Sequence, residues 1–336
     1  MKVLFIGGSG FISTSVSRLA LAKGHDLFWL NRGQRQVSVP GVTVINADVH
    51  APDQARQALG DQAFDVVVDW IAYTTDDIER DLALFRGRVK QFIFISSASA
   101  YQKPPSHPII TESTPLYNPV WPYSQNKIAC ELRLLQAYRD EGFPSTIVRP
   151  SLTYGDRNFP IAIGGWDSYT LIDRIKIGRP IIVHGDGSSL WVVTHADDFA
   201  KGFVGLLGNE QAIGNAFHIT SDEVLTWNQI YEIIADAAGA QPKLVHIATD
   251  FIASVAPDTG RGLQGDKAWS VIFDNTKIKT FVPGFQATIP FREGIRRTLA
   301  WFDADPARRR IDAGVNAEMD HILAAYGKPN PPPPFP

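Results

Sequence analysis

Short apolar runs alternate with longer amphipathic stretches through the first half of the chain. That alternation limits the fold more than any other feature. KVLFI at 2–6, DLFWL at 26–30, VTVI at 42–45, DVVVDW at 65–70, QFIFIS at 91–96 and PSTIVRP at 144–150 read as strands. Phe11 to Lys23, PDQARQALG at 52–60, DDIERDLALF at 76–85 and QNKIACELRLLQAYRD at 125–140 read as helices between them. Strand and helix in turn predict an α/β fold, a doubly wound parallel sheet with helices on both faces. The strands are apolar on both sides, as burial between two helix layers requires.

After Pro150 the rhythm loosens. Gly and Pro become frequent, as in FPIAIGGW and VHGDGSS, and the expected product is a smaller α+β lobe. The division expected is 1–150 for the sheet domain, with 192–220 returning to it, and 151–191 plus 221–325 for the second lobe. Residues 326–336, ending in PNPPPPFP, read as a Pro-rich polyproline II tail.

Composition removes several classes. A net charge of −3 gives no overall basic field for nucleic acid or anionic lipid. Cys130 is the only cysteine, so an intrachain disulfide and a cysteine metal cluster are both excluded. The eight histidines are scattered and show no metal-ligand spacing. No apolar run reaches membrane-spanning length, and no basic segment precedes the first one. A cytoplasmic setting without membrane or nucleic-acid partners is the expectation.

In VLFIGGSGFIS the first strand runs into Gly7, Gly8, Ser9 and Gly10, and the helix starts at Phe11 and Ile12. Glycines let the backbone approach a pyrophosphate, and a helix N-terminus offers unpaired N–H groups with partial positive charge. The position between strand and helix at the start of a βαβ unit marks a dinucleotide turn of a Rossmann sheet. The spacing is GxxGxxG with Ser13 at the third position. The second strand ends in Asn31 and Arg32, with Arg35 close by, where an acid would hold the ribose hydroxyls of NAD. An arginine there pairs with a 2′-phosphate instead. NADP(H) is therefore favoured, with NAD(H) as the alternative. Asp48 and Val49, after the third strand, are placed to reach the adenine edge, or Asp48 serves only its turn. Ile71 and Ala72 follow the fourth strand and belong to the same crevice.

Tyr123 and Lys127 stand four apart on a helix and share a face. An ammonium there favours the phenolate and is expected to lower the tyrosine pKa. FIFISSASAY ends the preceding strand with Ser96, Ser97 and Ser99 on the ligand side of the sheet. Together with GGSGFIS, ADV, YSQNK, IVRPSLTYG and VTHADDFAKG, these stretches resemble the extended short-chain dehydrogenase/reductase superfamily, also called the NAD-dependent epimerase/dehydratase family. The resemblance implies that Ser97, Tyr123 and Lys127 are catalytic, Tyr123 as acid–base and Ser97 as a hydrogen-bond donor to the reacting oxygen. It implies that Pro150 to Leu152 run along the nicotinamide, and Ser96 counts among the cofactor-binding residues. It implies hydride transfer on a sugar or similar hydroxyl/carbonyl compound, and a homodimer paired through the tyrosine helix, to which the apolar positions Ile128, Leu132 and Leu135 lend support.

Departures narrow this. Ala98 and Ser99 stand where sugar 4,6-dehydratases carry an Asp-Glu pair, so that elimination lacks its acid and base. Leu190 and Trp191 stand where nucleotide-sugar enzymes usually carry a diphosphate-binding Arg, and Arg261 is the nearest substitute. Ser99, Trp191 and Arg261 are the substrate-side candidates, with Trp166 and Tyr169 as further aromatic ones; Trp166, Tyr169 and Trp191 equally suit core packing. His195 reads as structural, with Asp197 and Asp198 capping the next helix; His107 and Glu112 lie on a loop that shapes either a pocket or only the surface. The alternatives are a nucleotide-sugar epimerase proper, or a non-catalytic NAD(P)- or RNA-binding protein on the same scaffold, since LNRG is also similar to RNA-binding relatives.

Overall fold

The computed structural model describes residues 1–34 and 37–327; Arg35 and the Pro-rich run from 328 onward lie outside the described residues. Seven parallel strands make the main sheet. β1 (Lys2–Ile6), β2 (Asp26–Asn31), β3 (Thr43–Asn46), β4 (Phe64–Asp69) and β5 (Val89–Ile95) are joined by strands Ser145–Arg149 and Ala216–His218. The spatial order is 216–218, 145–149, β5, β4, β1, β2, β3. Val3 faces Leu27 on one side and Val66 on the other, so β1 is central and the strand order reverses beside it. A crevice at the strands' carboxyl ends follows from that reversal.

Two helical layers cover the sheet. α1 (Phe11–Ala22) and the helix Ala196–Leu206 pack Val16, Ala20, Phe199 and Phe203 on one face. α2 (Pro52–Leu59), α3 (Thr75–Phe85) and α4 (Pro122–Glu141) bury Ala55, Leu59, Ile78, Leu82, Cys130, Leu134 and Ala137 on the other. α3 starts on a capping box between Thr74 and Asp77. α4 starts three residues before the expected Gln125, because Pro122 suits a helix's first turn. Tyr123 thus sits in that first turn.

Beyond residue 151 the chain first adds strand Leu152–Tyr154, paired with Val193–His195. The helix 196–206 and the edge strand 216–218 then return to the main sheet. The remainder forms a second core around Trp191, Trp227, Tyr231 and Phe302. Position 150 does not separate the lobes cleanly. Ile109–Ile110 pairs with Ile272–Phe273, and Tyr101 and Ile110 are buried in the second core. Tyr101 and Ile110 are the apolar anchors that carry the otherwise polar 98–117 loop onto the second lobe.

Three histidines are buried without charge. Burial lowers the pKa of His184 to about 4 and also lowers His195 and His218. His195 caps the helix 196–206 through Nδ1, accepting from Asp197 N at 3.2 Å. The expected cap by Asp197 and Asp198 is therefore replaced: Asp198 turns inward, pairs with Lys201 at 2.6 Å and accepts from Ile289 N. A buried neutral histidine binds fewer protons than the unfolded chain below the unfolded pKa. Stability should thus be fully present above about pH 6.5 and fall as pH drops towards 4. His184, neutral down to about pH 4, contributes a slope of up to about 1.4 kcal/mol per pH unit between there and the unfolded value, and His195 and His218 add in the same direction. Urea unfolding midpoints at pH 7.5, 6 and 5 check this, and a midpoint that does not fall below pH 6.5 contradicts it.

Candidate active site

A cavity of about 950 Å³ runs along the carboxyl ends of the strands, from the glycine turn to the start of α4. Its volume is at the upper end for small-molecule sites. At one end the backbone itself forms the wall. Gly7 has φ +81, and a Cβ there would fall 2.3 Å from Ile71 Cγ2. A Cβ on Gly8 would fall 2.3 Å from Trp29 Cδ1. The two glycines therefore let the turn lie against β4's loop and β2. Ser13 replaces the third glycine and turns its hydroxyl to Gly10 O at 3.2 Å. α1 has neither a side-chain cap nor an acid in its first turn, so its leading N–H groups are left for an anion. This end fits the pyrophosphate of a dinucleotide.

Ser9, Gly10, Phe11, Ile12, Asn31, Arg32, Asp48, Val49 and Ile71 all line the cavity. Arg32 meets Asp48 at 3.9 Å, both partly exposed. Gly8 stands behind the wall, and so does Ala72, which acts through its carbonyl. Asp69 at the end of β4 fixes this loop, accepting from Ile71 N at 2.6 Å and Ala72 N at 2.8 Å. Asp69 is itself buried against Arg80 at 2.8 Å, and Arg80 also holds Asp81. Burial and the Asp69 charge push the Asp81 carboxyl up.

At the other end Ser97, Tyr123 and Lys127 converge with Ser96, Pro150 and Leu152 on the same cavity. The Lys127 ammonium donates to Ala72 O at 2.7 Å and Ile95 O at 2.8 Å. It lies 4.6 Å over the Tyr73 ring, 4.8 Å over Phe94 and 5.9 Å from the Tyr123 ring. Burial lowers its pKa to about 8, opposed by the charge of Asp69. Ser97 Oγ is 2.9 Å from Ser99 Oγ, which accepts from Ser124 Oγ at 2.7 Å. Below this turn Ser96 donates to Glu131, which is locked to Arg149 at 2.6 Å.

The expected lowering of the tyrosine pKa is not what the protein's own groups produce. Burial raises the Tyr123 phenol well above its ordinary value, Tyr73 adds to the rise, and the facing Ser97 hydroxyl opposes it. Tyr123 is packed deeply among protein atoms yet keeps part of its surface open to the cavity. The lysine ammonium is bound to two carbonyls, 5.9 Å from the centre of the Tyr123 ring.

The substrate-side expectations fare unequally. Ser99 and Trp166 line the cavity, Trp166 lying edge-on to Phe11 at 5.5 Å. Trp191 is buried against Trp227 in the second core, and Tyr169 is buried with its hydroxyl on Asp303. Arg261 pairs with Asp258 at the surface and does not reach the cavity. His107 bonds Ile109 N, and Glu112 accepts from His218 N; neither lines the cavity. Sequence reasoning missed Tyr73, Trp121, Asn158, Asp266 and Lys267, all on the wall. Trp121 was within reach of it, two residues before Tyr123. Asp266 and Lys267 come from a segment with no motif.

The model of the NAD dependent epimerase/dehydratase family matches residues 3–220. The chain belongs to that family and is an enzyme of the extended short-chain dehydrogenase/reductase type. It is 28% identical over 260 residues to a chloroplast stem-loop binding protein of 41 kDa from Arabidopsis thaliana, covering 73% of this chain and 65% of that protein. It is 26% identical over 291 residues to 2'-dehydrokanamycin reductase of Streptomyces kanamyceticus, covering 85% and 80%. Among solved structures it is similar to dTDP-glucose 4,6-dehydratase of Bacillus anthracis in complex with NAD, at TM-score 0.72 and 16% identity, covering 91% and 98%. Among the described residues no helix is long and apolar enough to cross a membrane.

Proposed function

We propose that the protein is an oxidoreductase or epimerase that moves hydride between a nicotinamide cofactor and a carbinol carbon of a small sugar-like substrate. The carrying observation is that Ser97, Tyr123 and Lys127 open into one cavity that continues to the Gly7–Gly10 turn. The cofactor, when bound, gives or takes the hydride. Tyr123 exchanges the proton of the substrate oxygen, and Ser97 hydrogen-bonds that oxygen. Ser99 and Ser124 hold the Ser97 hydroxyl from behind. Lys127 supplies positive charge under the phenol and a donor for the ribose. The reductase relative, similar over most of both chains, supports turnover. The stem-loop binding relative favours a second reading, a nucleic-acid ligand. The intact Ser97, Tyr123 and Lys127 and the net charge of −3 speak for the first.

Tyr123→Phe should lower turnover by about 10²–10⁴-fold, the usual contribution of a general acid–base group, with cofactor affinity nearly unchanged. Steady-state rates beside a cofactor titration check this. Near-normal turnover would mean that Tyr123 only packs.

NADP(H) is the favoured cofactor. An exposed pair such as Arg32–Asp48 is worth about 0–1 kcal/mol, so Asp48 yields the guanidinium readily. A charge-assisted phosphate contact is worth about 1.5–3 kcal/mol. NADP should bind roughly ten- to hundredfold tighter than NAD, and Arg32→Ala should abolish that difference; equal affinities in the parent protein would count against the assignment.

A homodimer through α4 is the proposed assembly. Cys130, Leu134 and Ala137 pack on the sheet, so Ile128, Leu132 and Leu135 lie on the outer side, with Leu132 57% exposed. Sedimentation should give a dimeric mass at micromolar concentration and a monomeric one for Leu132→Asp. A monomeric parent protein would refute it.

A further inference from the structure

The second lobe puts a charged pair on the cavity wall that no motif announces. Leu263–Lys267 is a single π-helical turn, a form concentrated at functional sites. It is fixed from three directions. Asn118 donates one N–H pair to Ser99 O at 3.0 Å and to Gly265 O at 2.6 Å, joining the turn to the serine turn. Lys267 O accepts from Trp227 Nε1 at 3.1 Å and lies 2.9 Å from His184 Nε2. Gly265 abuts Trp121 so closely that a Cβ would lie 2.6 Å from the Trp121 Cβ. The result is that Asp266 and Lys267 face the cavity beside Trp121, whose ring is 4.9 Å from that of Tyr123.

These charges pair loosely with one another. Asp266 is 15% exposed and Lys267 16%, and their carboxylate and ammonium stand 3.7 Å apart, beyond hydrogen-bond range. Lys103, 3% exposed, approaches the other Asp266 oxygen at 3.7 Å from behind the wall. Neither Asp266 nor Lys267 has a side-chain hydrogen bond among the described residues. Both are partly open to the cavity, where a ligand's hydroxyls could reach the carboxylate and the ammonium. Lys267 also lies 5.4 Å over the Trp121 ring, which holds the ammonium to one side of it.

We infer that Asp266, Lys267 and Trp121 form the substrate subsite and select an unphosphorylated ring polyol over a nucleoside diphosphate sugar. This rests on the hydride-transfer reading above, and it names the substrate class for that site. Vicinal ring hydroxyls donate to the carboxylate and accept from the ammonium, while the ring's C–H face lies on the indole. A diphosphate would meet one lysine and, beside it, a repelling carboxylate. The candidate arginine is elsewhere, since Arg261 is paired at the surface.

The test is ligand-observed saturation-transfer NMR on the full chain saturated with its preferred nicotinamide cofactor. The probes are D-glucose, D-galactose, D-glucosamine and myo-inositol against UDP-glucose and dTDP-glucose. At least one unphosphorylated ring should bind more tightly than both nucleotide sugars. Asp266→Asn and Trp121→Leu should each weaken it at least tenfold while cofactor affinity stays within about twofold. Lys267→Met serves in the same way if either of the others fails to fold. The inference is overturned if a nucleotide sugar binds more tightly than every unphosphorylated ring, if none of the rings binds, or if the folded variants bind as the parent does. Tyr123→Phe, run alongside, should still bind the ring but lose its turnover. If it instead turns the ring over normally, the hydride-transfer reading falls while the subsite stands.

Discussion

The placement of the Lys127 ammonium governs the rest of the site. Its two carbonyl acceptors, Ala72 O and Ile95 O, belong to the loop after β4 and the end of β5. One side chain on α4 therefore ties three elements to a single point. Hydrogen bonds to a charged group contribute about 1.5–3 kcal/mol each, against a desolvation cost of several kcal/mol for the buried ion. The balance is close, which is why its pKa falls to about 8 and why distant carboxylates matter. Asp69 serves twice, bonding the Ile71 and Ala72 N–H groups and lending its negative charge. Behind it Arg80 and Asp81 keep that carboxylate fixed. The same construction recurs under the serines, where Arg149 neutralises Glu131 and Glu131 holds Ser96.

What could be read from the sequence follows from the range of the interactions involved. The β-strand and helix alternation is a local pattern, and the parallel sheet followed from it with shifts of one to three residues at the ends. Gly7 and Tyr123 to Lys127 are local too, and the chain's topology alone brings them to one crevice. The shift of α4's start to Pro122 was legible in principle, because proline belongs in a first helical turn. The inward turn of Asp198 was not, since its partners Lys201 and Ile289 include one contributed from 91 residues away.

The second lobe was harder for a physical reason. Its core joins 98–117, 151–191 and 221–302 through short two-stranded pairings, none of which has a strong period of its own. Trp191, for which a pocket wall and core packing were both open readings, is a core residue. Arg261 lies in the right segment but pairs with Asp258 in the helix Pro257–Gly262, and the residues that reach the cavity are Asp266 and Lys267 of the turn that follows. The tyrosine pKa failed in the opposite way. The spacing gave the proximity to Lys127 correctly, but burial, which spacing does not report, outweighs it.

That conflict supplies the most direct measurement. If Tyr123 is the proton carrier, positive charge from an oxidised nicotinamide has to bring its raised pKa down towards working pH. Phenolate absorbance can be titrated in parent protein and Tyr123→Phe, each with and without saturating oxidised cofactor, and the difference assigned to Tyr123. The account predicts a Tyr123 transition that moves down by at least about two pH units when the cofactor is added. A Tyr123 transition at the same high pH in both conditions would contradict it.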